Sequence, residues 1–171
     1  MNNMAEDYSN IVLIGMPGAG KSTVGVILAK QTSRDFVDTD VLIQTVQGRS
    51  LQQILDAEGY LALRKIEEEV LLNLCLRNHV IATGGSAAYS NRAMAHLKSN
   101  GVAVFLNVDL ATLEARVRDF DTRGVAKRPD QSLAELFQER YTLYTNYADI
   151  TIQCNDLTQE DVCGRIIREV K

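Results

Sequence analysis

The sequence predicts an α/β fold of three layers, with a five-stranded parallel sheet between two sets of helices. Three observations predict it. Short apolar runs alternate with amphipathic helical segments along the chain, the pattern of parallel strands joined by crossover helices. A glycine-rich turn, Gly15-Met16-Pro17-Gly18-Ala19-Gly20-Lys21-Ser22, joins one apolar run directly to a helix. The length of 171 residues suits a single core, so residues 1–171 are expected to form one domain.

The elements follow in order. Ile11–Ile14 reads as the first strand and Lys21 to about Gln31 as the first helix. Asp35-Phe36-Val37-Asp38 is a second strand, and Val41–Gln47 a helix stopped by Gly48. Ser50 is placed as an N-cap, with Gln53 completing a capping box for a helix that carries Leu51, Ile54 and Leu55. Gly59–Arg77 is expected as one long helix with Leu63, Ile66, Val70 and Leu74 on its apolar face. Glu67, Glu68 and Glu69 there read as a charged, partly solvated face. Val80–Ala82 is a third strand, which His79 starts, and it ends in Thr83-Gly84-Gly85. Asn91–Ser99 is helical, with His96 on its surface. Val102–Leu106 is the fourth strand, and Asp109 caps a helix with Leu113, Arg116 and Val117. Residues 119–131 are polar, rich in positive charge together with Arg118, and lack apolar periodicity, so they read as a mobile lid or a connector. Ser132–Tyr147 is helical, Asp149–Gln153 the last strand, and Thr158 caps a C-terminal helix.

Composition narrows the function. Hydrophobic residues make up 46% and charged residues 23%, and the net charge is −4. A nucleic-acid partner is therefore not expected, and no basic run marks one. No apolar stretch is long enough to span a bilayer, and the polar Met1–Asn10 segment does not resemble a secretory leader. Cys75, Cys154 and Cys163 are widely spaced and form no metal-ligand pattern. They are expected as reduced thiols, mostly buried, in a cytoplasmic protein.

Residues 15–22 match G-x-x-x-x-G-K-[ST], and a strand before and helix after are the context that gives this pattern meaning. Its backbone N–H groups turn inward around a phosphate, aided by the positive end of the helix. Gly15, Gly18, Ala19, Gly20, Lys21, Ser22 and Thr23 are the expected nucleotide-binding residues. Lys21 reaches the terminal phosphates and Ser22 holds Mg²⁺. Asp38 and Asp40 leave the carboxyl end of the second strand, where ligands of open α/β sheets bind. They suit a metal and a substrate, or equally a helix N-cap and a solvated acid. Arg64 and Arg140 read singly as surface arginines, yet together in one pocket they would suit a carboxylate. Gly84 and Gly85 allow either a plain turn or the close approach of a ligand. Arg128 before Pro129 is either a solvated loop charge or a lid arginine over a transferring phosphoryl group.

These residues, in this order and spacing, resemble the shikimate kinases, from about Asn10 to Val170. The resemblance rests on the phosphate loop, Asp38-Thr39-Asp40, Arg64 ahead of Ile66-Glu67, Gly84-Gly85, Arg128-Pro129 and Glu139-Arg140-Tyr141-Thr142-Leu143-Tyr144. It implies a P-loop kinase fold with a lid over about 119–131 and an acceptor-binding helical region over about 39–65. It further implies ATP-dependent phosphorylation of the 3-hydroxyl of shikimate, with Lys21, Asp40 and Arg128 as the catalytic set. Asp40, Arg64, Gly84, Gly85 and Arg140 would bind the acceptor. Ser22 and Asp38 would hold Mg²⁺, Asp38 through water. A monomer is expected.

The chain departs from the family pattern at several points. Ser86 replaces a third glycine, Asp130 follows the lid Arg-Pro, the lid is longer, Thr142 replaces a proline, and Asn155 or Asp156 stands where an adenine-stacking arginine is common. Arg116 or Arg118 could take that contact. Two rival readings follow: a related kinase for another small polyol acid, and a nucleotide-binding regulator without catalysis.

Overall fold

The computed structural model describes residues 9–171. The expectation drawn from Met1–Asn10 therefore falls, but for its last two residues, outside the described part. Five strands form one sheet: β1 (Asn10–Ile14), β2 (Asp35–Asp38), β3 (His79–Ala82), β4 (Gly101–Asn107) and β5 (Ile150–Gln153). All pairings are parallel, in the order β2-β3-β1-β4-β5. Seven helices cover the sheet: α1 (Lys21–Thr32), α2 (Thr39–Gln47), α3 (Leu51–Leu72), α4 (Asn91–Lys98), α5 (Leu110–Arg116), α6 (Leu133–Tyr147) and α7 (Gln159–Val170). Short 3₁₀ turns at Ala87–Tyr89 and Phe120–Thr122 add to these; neither shows in the periodicity.

β1 lies at the centre and every residue in it is buried. This is why Ile11–Ile14 is an unbroken apolar run rather than an alternating one. The carboxyl ends of β1, β2 and β3 meet at one edge. The glycine-rich turn, Asp38 and the Thr83-Gly84-Gly85 backbone leave the sheet there, as the position of clefts in open α/β sheets requires. One large core packs both faces of the sheet, and a smaller one gathers Ile43, Ile54 and Leu63 beneath Ala126.

Helix starts explain themselves. Asp38, Ser50, Ser90, Asp109, Ser132 and Thr158 each cap a helix with a side-chain oxygen, and Ser50, Ser132 and Thr158 form reciprocal capping boxes. α1 differs. Its N-cap is Gly20 with φ 91° and no side-chain cap, so its first N–H groups are left for a ligand.

Three differences from expectation have clear causes. The break expected at Gly59 is present within α3, where that residue has φ 84° and ψ 172°, but the helix after it is shorter. It ends at Leu72, not Arg77. The Asn73 side chain donates to Glu69 O, and the carbonyls of Leu74 and Leu76 are taken by His96, Asn10 and Asn100. Its buried stripe is Leu63–Glu67–Leu71, so Glu67 lies inside and not on a solvated face. The lid segment 119–131, polar in sequence, is docked. Val125, Ala126 and Gln131 are buried, and Gly124 N–H donates to Gln52 Oε1 at 2.8 Å.

Candidate active site

The cleft at the carboxyl edge of the sheet has a volume of about 200 Å³. Its floor is the phosphate loop. Lys21 is buried, and its Nζ donates to Gly15 O at 2.7 Å and Met16 O at 2.9 Å. Burial lowers its pKa to about 8, opposed by the charge of Asp40. Ser22 and Thr23, in the first turn of α1, are exposed at the mouth of the loop.

Asp38 does two jobs. One carboxylate oxygen caps α2 by accepting from Asp40 N and Val41 N; the other accepts from Ser22 Oγ at 2.5 Å. The N-cap and the site roles left open in the sequence are thus compatible. A hard-cation donor set of one hydroxyl and one carboxylate fits Mg²⁺, which keeps waters and phosphate oxygens as its other ligands. Consistent with that, the described residues contain no cluster of three or more His, Cys, Asp or Glu able to hold a metal alone. Asp40, one residue into α2, faces Lys21; burial raises its pKa, with Lys21 pulling the other way.

Arg64 on α3 and Arg140 on α6 converge. Arg64 donates to Ala126 O at 3.1 Å and Arg140 to the same oxygen at 2.8 Å. Tyr89 sits between them, its ring centroid 3.5 Å from Arg64 Cζ and 5.5 Å from Arg140 Cζ. Both Nε atoms are buried and unpartnered. A guanidinium grips a carboxylate through a two-donor fork, so this pair retains unused donors of the right kind. Neither is a surface arginine: Arg140 is 1% exposed and Arg64 half-buried.

The Gly84-Gly85 backbone passes between these groups. Thr39 Oγ1 accepts from Gly84 N at 3.1 Å, and Tyr144 donates to Gly85 O at 2.5 Å. Gly85 has no alternative: a Cβ there would lie 2.5 Å from Arg140 and 2.9 Å from Pro17. What comes close to Gly85 here is protein, the side chains of Arg140 and Pro17.

Arg128 does not line the cleft. It is exposed and pairs with Glu139 Oε2 at 3.1 Å, while Glu139 also accepts from Tyr89. Arg123 of the same segment lines the cleft instead. Spacing alone could not tell which lid cation turns inward, because that depends on where Ala126 is anchored. Arg116 Nη1 approaches Gly18 O at 3.4 Å, whereas Arg118 lies on the far side among the residues around Phe120 and Pro129.

Sequence reasoning missed Glu67, Tyr89, Arg123 and Gln52. The Leu63–Glu67–Leu71 spacing of four is a signal that could have found Glu67. Burial raises its pKa to about 7, helped by Asp40 and opposed by the Ser86 hydrogen bond, Arg140 and Lys21.

The comparisons with known proteins agree with this geometry. A family model described as shikimate kinase matches residues 17–171. A shikimate kinase of Thermodesulfovibrio yellowstonii is 36% identical over 163 residues, covering 94% of each chain. The solved shikimate kinase of Acinetobacter baumannii, in complex with shikimate, superposes with a TM-score of 0.88 at 32% identity, over 96% of this chain and 94% of that one. The Aquifex aeolicus enzyme gives 0.81 at 34% identity, over 94% and 95%. With this phosphate loop and acid pair at the carboxyl edge of the sheet, and two arginines converging on the Ala126 carbonyl beside them, the chain belongs to the shikimate kinase family.

Proposed function

We propose that the protein transfers the terminal phosphoryl group of ATP to the 3-hydroxyl of shikimate. One observation carries this reading. Arg64 and Arg140, far apart in sequence, converge on one carbonyl, that of Ala126; Arg140 lines the cleft that holds Lys21 and Asp40, and Arg64 lines the adjoining pocket that shares Glu67 and Ser86 with it. A hydroxylated carboxylic acid lying between a phosphate loop and a guanidinium pair satisfies both ends. The relative solved with shikimate bound supports the same acceptor.

Phosphoryl transfer asks the protein for alignment and charge stabilisation rather than covalent work. The N–H groups from Gly18 to Ser22 cradle the phosphates, with Gly15 and Thr23 shaping the turn and the first turn of α1. Lys21 leaves the carbonyls of Gly15 and Met16 for the phosphates and stabilises the charge on the transferring group. Arg64 and Arg140 exchange the Ala126 carbonyl for the acceptor carboxylate, which fixes the ring. Gly84 and Gly85 let that ring approach the backbone. Asp40 orients the attacking hydroxyl and takes its proton. Ser22 and Asp38 would hold Mg²⁺, which when bound supplies charge neutralisation across the phosphates. Arg128 reaches the transferring group by leaving Glu139, an exposed ion pair and so a weak restraint. In this division of labour residues 39–65 serve the acceptor and 119–131 close over both ligands. Free thiols at Cys75, Cys154 and Cys163 suit work in a reducing cytoplasm.

A coupled ADP-release assay tests the reading. Shikimate should stimulate ADP release, while quinate, gluconate and a control without acceptor should not. ADP release indifferent to every acceptor would overturn it.

A further inference from the structure

Tyr89 takes no part in the transfer outlined above, yet it lies beside both acceptor arginines. It ends the 3₁₀ turn that follows Gly84-Gly85 and is half-buried. Arg64 Cζ lies 3.5 Å over the centre of its ring, and Arg140 Cζ lies 5.5 Å from it. Tyr60, one turn before Arg64 on α3, is a second ring near that guanidinium, at 5.1 Å. So close to Tyr89, only a face-to-face approach fits, because an edge-on guanidinium would drive a nitrogen into the ring. With a face covered, Arg64 is left its edge for hydrogen bonds, and from that edge Nη2 reaches Ala126 O at 3.1 Å. Tyr89 is itself tethered. Its hydroxyl donates to Glu139 Oε1 at 2.5 Å, and Glu139 Oε2 accepts from Arg128 Nη1 and Gln131 Nε2, both at 3.1 Å. Burial and the Glu139 hydrogen bond raise the Tyr89 pKa, so the phenol stays the donor.

We propose that Tyr89 is a positioning residue for the acceptor: its ring holds the Arg64 guanidinium with its edge toward the carboxylate, and Glu139 fixes the ring by its hydroxyl. A free arginine side chain gives up much rotamer freedom when it grips a ligand. A guanidinium already pinned against a ring gives up less, which is the gain from preorganisation. The cation–ring attraction survives binding, because the carboxylate takes the edge while the ring keeps the face. Glu139 is shared with the 119–131 segment, so the carboxylate that steadies the acceptor fork also seats Arg128. This rests on the reading of Arg64 as a holder of the acceptor carboxylate.

The test measures KM for shikimate and for ATP, by coupled ADP release, in Tyr89→Leu and Tyr89→Phe, each alone and combined with Arg64→Ala. Tyr89→Leu should raise the KM for shikimate roughly three- to tenfold, the worth of a partly desolvated cation–ring contact, with the KM for ATP unchanged. Tyr89→Phe keeps the ring and should restore the KM for shikimate to within about twofold of the wild type. Added to Arg64→Ala, Tyr89→Leu should raise that KM no further, because the residue acts through the guanidinium. A residue that served only the packing of the turn would cost the same in both backgrounds. The chain has no tryptophan, so Tyr89→Trp places a lone fluorophore over Arg64 and carries the test if Tyr89→Leu does not fold. Its emission should change at the shikimate concentrations that saturate turnover. Equal losses with and without Arg64, a Tyr89→Phe variant as impaired as Tyr89→Leu, or Tyr89→Trp emission indifferent to saturating shikimate would each overturn the proposal. A wild-type KM for shikimate in Arg64→Ala alone would instead bring down the reading of Arg64, and this proposal with it.

Discussion

Lys21 and Glu67 are buried with charges that water would prefer to keep, and both are set to respond near neutral pH. Lys21 has its pKa lowered to about 8 by burial, so the free loop loses its positive charge as pH rises past 8. The kcat/KM for ATP should fall by up to about tenfold per pH unit above that point, as measured by ADP release from pH 7 to 10. Lys21→Ala should lower kcat by roughly 10²- to 10³-fold, as removal of a preorganised donor at developing charge does. Glu67 works the other way on stability. Its folded pKa, near 7, lies above the usual 4.5. Its contribution is therefore complete below 4.5 and lost as pH rises through 7, at most about 3 kcal/mol. Glu67→Gln should match the wild type in urea at pH 4 to 5 and exceed it increasingly toward pH 7 to 8. Arg64→Ala should raise the acceptor KM roughly 10- to 100-fold while leaving the KM for ATP in place. The phosphate loop and both aspartates were legible because each sits beside a strand end or a recognisable pattern, whereas Arg64 and Arg140, inside helices, read singly as surface residues and stood out only through the family resemblance. Glu67 was passed over, since three consecutive glutamates look alike unless the spacing of four from Leu63 to Leu71 is used to pick the inward one.

At the scale of elements, boundaries were most legible where a side chain enforces them. Ser50, Asp109, Ser132 and Thr158 start helices where their oxygens find N–H groups two or three residues on. The end of α3 was not legible. Leu74 and Leu76 continue a helical pattern, but distant Asn10, His96 and Asn100 claim their carbonyls. The kink in α3 is held by Gly59 in a backbone region that is essentially glycine's own. Gly59→Ala meets no steric neighbour, yet should cost roughly 1–3 kcal/mol from backbone strain alone, read as a lower urea midpoint. The lid was read as mobile because its exterior is polar. Its buried apolar side chains, Val125 and Ala126, are too few to show a period. Gln52→Ala removes the hydrogen bond to Gly124 and should speed limited proteolysis within 119–131 without moving the bulk unfolding midpoint. Arg128→Ala should lower kcat more than it raises the KM for ATP, whereas a loss confined to Arg123→Ala would assign the phosphate contact to the cation that already faces the cleft.

Across the whole molecule, the order β2-β3-β1-β4-β5 brings loops from three strands to one edge, where Ala126 of the 119–131 segment packs with Ile43, Ile54 and Leu63 of α2 and α3. Topology of this kind follows from the alternation of apolar runs and helices. The side on which a polar connector settles does not, because it is decided by a handful of contacts made only after the core has formed. Ligands that fill the cleft hold these parts together. Saturation at a hundredfold over Kd should raise Tm by about 5–10 °C in a chain of this length, and an Arg64→Ala, Arg140→Ala double variant should lose the shift from the acceptor but keep that from ATP. The Ala126 carbonyl shared by the two arginines has a further consequence. Under the proposed acceptor assignment, capture of the acceptor is an exchange of this backbone carbonyl for a carboxylate rather than an addition. A full negative charge outbids a peptide dipole for two guanidinium groups, whereas an ester or amide of the same ring should not, so uncharged mimics should bind far more weakly than an anionic one.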